Sequence, residues 1–89
     1  MLEQTFPVNQ GPEAAITQTY GQKAVGVSFN PSNLSIVDKV KQTYADLIDL
    51  MNEMRAASGS SEQMRHCSIA ITDIEAAQMR TVKAITWKD

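Results

Sequence analysis

The chain has 89 residues, which allows at most one domain. Hydrophobic residues make up 43% and charged residues 20%, the balance of a globular protein rather than a disordered one. A net charge of -2 argues against a general DNA or RNA binder, which presents a basic face. No apolar run approaches the roughly 18 residues of a membrane span. The N-terminus also lacks the basic-then-apolar order of a signal peptide.

A domain this small buries only about 60% of the surface its unfolded chain exposes. Such scaffolds lean on disulfides, a metal or a partner chain. Cys67 is the sole cysteine, which excludes an intrachain disulfide. His66 and Cys67 alone cannot supply the four ligands of a structural zinc site. Self-association is the remaining route. An unpaired cysteine without an export signal predicts a reducing, intracellular compartment.

In chain order, residues 1–31 read as an N-terminal segment punctuated by Pro7, Gly11, Pro12, Gly21, Gly26 and Pro31. A short helix is predicted there over Pro12–Thr19. Pro12 suits its first turn, Glu13 the positive end of its dipole and Gly21 its stop. Residues 32–89 read as a helical hairpin domain. Ser35 followed by Asp38 predicts a helix start, with Ser32 as the alternative. Val37, Val40, Tyr44, Leu47, Ile48, Met51 and Met54 recur at three- and four-residue steps as an amphipathic stripe. It ends near Ala57, where Ser58-Gly59-Ser60-Ser61 interrupts it.

Ser60 or Ser61 then caps a second long helix with Glu62 in its first turn. Met64, Cys67, Ile71, Ile74, Ala77 or Gln78, Val82 and Ile85 form its stripe, which ends near Trp87. Two helices joined by so short a turn lie antiparallel. Ile69, Ala70, Ala76 and Met79 make the second helix apolar beyond that stripe, more than one partner helix can cover. The predicted fold is all-α: a short N-terminal helix and loop, then a long antiparallel hairpin, assembling into a homo-oligomeric bundle.

With Gly59 as a mirror point, residue 39 lies level with residue 79. Lys39, Lys41, Arg80, Lys83 and Lys88 then gather at the open end. Asp46, Asp49, Glu53, Glu62, Asp73 and Glu75 fall nearer the middle or the turn, with Arg55 and Arg65. Lys23, Tyr20 and Phe29 lie on the segment feeding the first long helix. Cations with nearby aromatic rings suit a small phosphate ligand carrying bases. For Arg80 and Lys83 a second explanation stands alongside, since cations in a last helical turn complement the dipole. It does not serve Lys39 and Lys41, which sit near a helix start.

No metal motif, phosphate loop or nucleophile elbow is present. His66 and Cys67 are adjacent on a helix and point about 100° apart, so they do not form a nucleophile–base pair. Cys67 on the apolar stripe reads as a small hydrophobe. No catalytic residue, metal or cofactor is expected.

The run from Arg65 through His66, Cys67, Ser68, Ile69, Ala70, Ile71, Thr72, Asp73, Ile74, Glu75, Ala76, Ala77 and Gln78 to Met79 resembles the second helix of the phage anti-CBASS sponge family. That helical hairpin is shared with sponges that counter the Thoeris defence. Phe29-Asn30-Pro31 and Val37-Asp38-Lys39-Val40-Lys41 resemble the lead into its first helix. The resemblance covers residues 29–87.

It implies a small helical protein of the host cytoplasm that assembles into a compact homo-oligomer, a hexamer. It implies binding of cyclic dinucleotides and, in some members, cyclic trinucleotides at separate sites. The immune signal is held without cleavage, and the host effector stays inactive. The family uses an aromatic residue of the N-terminal segment, a lysine near the start of the first helix and an arginine on the second. Tyr20 or Phe29 answers to the aromatic, Lys39 to the lysine and Arg80 or Arg65 to the arginine, with Lys23 as a further cation. The competing reading is a small helical phage module that inhibits a host protein. Met51, Met54, Met64 and Met79 would give it an adaptable apolar surface.

Overall fold

The computed structural model describes residues 17–89. These form three helices and, among the described residues, no strand: α1 (Tyr20–Val25), α2 (Ser35–Ala57) and α3 (Ser61–Ile85). The short helix expected over residues 12–19 falls mostly outside the described residues, and residues 17–19 are not helical. Thr19 is instead the N-cap of α1, in a capping box with Gln22. The Gln22 N–H donates to Thr19 Oγ1 at 3.1 Å and the Thr19 N–H to Gln22 Oε1 at 2.9 Å. Two donors left without partners at a helix start are thereby satisfied.

Gly21 does not stop this helix; it sits buried in its first turn. A Cβ there would lie 2.1 Å from the carbonyl oxygen of Ala45, so the missing side chain lets α1 dock on the backbone of α2. The helix ends at Gly26, whose φ of 63° is left-handed. The Val27 N–H reaches Gln22 O at 3.0 Å and the Gly26 N–H reaches Lys23 O at 3.2 Å, a Schellman ending.

The turn Asn30–Asn33 feeds α2. Asn33 takes a positive φ of 59°, which asparagine tolerates. Ser35 is the first residue of α2 and not its cap; the cap is Leu34, whose side chain makes no hydrogen bond. Ser32 accepts a backbone N–H there from upstream, while Asn30 ties the turn to the first turn of the helix. Asn30 Nδ2 donates to Leu34 O and to Asp38 Oδ1, both at 2.9 Å, and Ser32 Oγ accepts from the Leu34 N–H at 3.2 Å.

The hairpin runs as expected, with α2 ending at Ala57 and Ser60 capping α3 through the Gln63 N–H at 3.2 Å. Its core is Val25, Ala45, Ile48 and Ile71, with Tyr44, Met51 and Ile74 packed around it. Val37 and Cys67 are buried as well. The Tyr44 hydroxyl meets Thr81 Oγ1 at 2.8 Å. The mirror about Gly59 puts residue 74 opposite residue 44. The reach toward the open end follows from the lean of helical side chains toward their own N-terminus.

Candidate functional site

The sequence places six residues in the site; the fold sets five of them in three regions and leaves Arg65 apart. Phe29 lies exposed in the loop before α2, above Lys41. Lys41 is buried at 5% exposure, and its ammonium donates to the carbonyls of Gly26, at 3.1 Å, and of Phe29. The same ammonium lies 5.3 Å from the Phe29 ring centroid. Lys41 is therefore a strut that fastens the α1–α2 connection to α2, whereas charge logic alone had made it a ligand candidate. Phe29 also lines a cavity of about 200 Å³, with Pro31, Val37, Lys41, Val82 and Thr86 on its walls. Lys39, two residues before Lys41, is exposed.

The second region lies on the last turns of α3. Arg80, Lys83, Ala84 and Trp87 line an open hollow at helical spacing, and Ala76 and Met79 extend it. Trp87 is 64% exposed, so its indole face is open to a flat ligand. The sequence reading used Trp87 only as a helix end. Its spacing of seven from Arg80 was the signal for one shared face.

The third region joins all three helices. Tyr20 opens α1, and the guanidinium carbon of Arg55 lies 5.6 Å from its ring centroid. Arg55 Nη1 donates to Ser68 Oγ at 3.0 Å, and Nη2 donates to Asn52 Oδ1 at 2.7 Å. The sequence reading passed over Arg55, because only the path of α1 brings a ring to it. Lys23 is exposed in the last turn of α1.

Arg65 lies apart, in the second turn of α3, where Nε and Nη2 both donate to the Glu62 carboxylate, at 3.3 and 2.5 Å. Fifteen residues separate it from Arg80, about 22 Å along the helix. Glu62 also faces His66, whose Nε2 is 3.1 Å from Oε2. His66 is thus directed at a carboxylate while Cys67 is buried, and the two do not meet as a nucleophile and base. Among the described residues no group of three or more His, Cys, Asp and Glu side chains is arranged to hold a metal. No helix among them is long and apolar enough to cross a membrane.

The geometry defines a class: a helical hairpin with cations and rings set on its faces and a short helix docked on its first arm. The hairpin carries the signature of a known family, Acb2/Tad1, hairpin domain, over residues 21–86, and the chain belongs to that family. Membership agrees with the resemblance to phage anti-CBASS and anti-Thoeris sponges and with a nucleotide-sponge type of function. No curated protein and no solved structure matches the chain.

Proposed function

We propose that this protein binds cyclic dinucleotide immune messengers, with cyclic trinucleotides as a second class, and sequesters them uncleaved in the host cytoplasm. The host CBASS response is thereby denied its signal. The observation that carries the reading is the family match across residues 21–86. It is supported by aromatic and cationic side chains on open faces, the combination that stacks a base and neutralises a phosphate. A sponge holds a scarce signal, so a dissociation constant near 1 nM, about -12 kcal/mol, is the physical requirement.

A single hairpin is too thin to enclose a dinucleotide. The site is therefore assigned between subunits of a homo-oligomer, a hexamer in this reading. Each chain contributes from the set Tyr20, Lys23, Phe29, Lys39, Arg65 and Arg80. Ligand that binds only the assembled state stabilises assembly and fold together.

The experiment is a release assay. Purified protein is loaded with a cyclic dinucleotide, stripped of unbound ligand and denatured, and the nucleotide is recovered by chromatography. Intact cyclic nucleotide in stoichiometric yield is the expected result; linear product overturns sequestration. In the same preparation Lys39→Ala weakens binding about ten- to a hundredfold, the loss of one charge-assisted contact.

A further inference from the structure

The place where Arg55 meets Tyr20 has a chemistry that packing alone leaves unused. The Arg55 guanidinium is half-buried and held by two neutral oxygens, Ser68 Oγ on α3 and Asn52 Oδ1 on its own helix. Among the described residues no carboxylate lies within ion-pair range of it. A guanidinium carries five N–H donors in a rigid fork. Among the described residues two are spent on neutral partners, which leave the charge unpaired and three donors for an anion.

Asp49, earlier on α2, is engaged otherwise: its carboxylate accepts the Gly21 N–H at 2.7 Å. Tyr20 is 46% exposed, with Arg55 near its ring, so much of the ring stays open. Complementing the dipole in the last turn of α2 accounts for a cation at position 55. It does not account for the ring, which a separate helix brings to that cation.

We infer that Arg55 and Tyr20 form one reading unit for a nucleotide: Arg55 holds a phosphodiester and the open part of the Tyr20 ring stacks on the base beside it. The inference rests on the sponge reading and deepens it. It selects Tyr20 over Phe29 as the stacking ring. It also adds an arginine of the first long helix to a set that had looked for its arginine on the second. Phe29 is the ring that caps the Lys41 strut. A guanidinium suits the role better than an ammonium, because its fork matches two phosphate oxygens at once.

The test is calorimetric titration of a cyclic dinucleotide into wild type and five variants, each checked for helicity and melting temperature. Arg55→Gln lowers affinity about ten- to a hundredfold. Tyr20→Leu lowers it by about tenfold or more, and Tyr20→Phe stays within about threefold of wild type, since a ring suffices to stack. Arg55→Lys keeps the charge and loses the fork, and falls between wild type and Arg55→Gln.

Ser68→Ala removes the brace to α3 and leaves the guanidinium, so it stays within about threefold of wild type. If Ser68→Ala loses as much affinity as Arg55→Gln, the arginine is only a brace and the inference falls. Arg55→Gln and Arg55→Lys binding like wild type overturns it as well. A wild type that takes up neither cyclic dinucleotides nor cyclic trinucleotides overturns the sponge reading itself.

Discussion

Gly21 shows how much one absent side chain can decide. The ideal Cβ would meet Ala45 O at 2.1 Å and the Asp49 carboxylate at 2.9 Å. The first is backbone and cannot step aside. Gly21→Ala therefore forces α1 off α2, at a cost of roughly 1–3 kcal/mol for overpacking a close contact. Chemical denaturation reads that cost, and a variant as stable as wild type would show that α1 does not dock in solution as described. The sequence offered Gly21 as a helix stop, since a glycine just past a short helical run usually is one. Its real role depends on a backbone 24 residues away, which local pattern cannot contain. Lys41 was misread for the same reason. Its position near a helix start is legible, but the two carbonyls that hold its ammonium belong to a loop whose path is set by Gly26 and Asn33.

At the scale of elements, the sequence was most informative where the chemistry is local. Ser60 as the cap of α3, Ala57 as the end of α2 and the three- and four-residue stripe all rest on contacts within a few residues. The first turn of α3 carries a further local device. Arg65 donates to Glu62, and this holds the Glu62 carboxyl below the ordinary glutamate value; slight desolvation pulls the other way and His66 adds to the lowering. A carboxyl whose folded pKa is depressed stabilises the fold above its unfolded value. That contribution is lost as pH falls through the lowered folded value. The pair is exposed, so the effect on stability is small. The direct measurement is the carboxyl carbon shift of Glu62 by NMR. It titrates below the ordinary value in wild type and moves back up in Arg65→Ala. Identical titration in both proteins would mean that the ion pair does not persist in solution. Arg65 is also the weaker candidate for a ligand phosphate, because an anion there must compete with Glu62.

The described residues form a flat body, 13 Å across its shortest axis, with α1 docked against the hairpin. A slab of this kind leaves apolar rows uncovered. The sequence placed the excess on the second helix, where Ile69 and Met79 are indeed exposed. The first long helix carries a longer row. Ile36, Val40, Thr43, Leu47, Leu50 and Met54 follow one another at alternating steps of four and three, the spacing of a coiled-coil seam. Ile36, Leu47, Leu50 and Met54 are all exposed. Leu47 and Met54 were legible as apolar but were credited to the hairpin core, because a stripe alone does not say which neighbour covers it.

A seam between copies along this row would separate assembly from folding. Ile74 packs on the core within one chain, so Ile74→Asp removes helicity and assembled mass together. Leu50 is 55% exposed in the single chain, so Leu50→Glu leaves the hairpin nearly as stable and costs only what lies between copies. Light scattering with circular dichroism gives the expected result: wild type above monomer mass at micromolar concentration, Leu50→Glu helical and smaller, Ile74→Asp unfolded. A wild type of monomer mass would sink the oligomer, and an unchanged mass in Leu50→Glu would move the seam to another face. If the nucleotide sits between copies, saturating ligand restores part of the lost mass in Leu50→Glu, because binding pulls the equilibrium toward the assembled state.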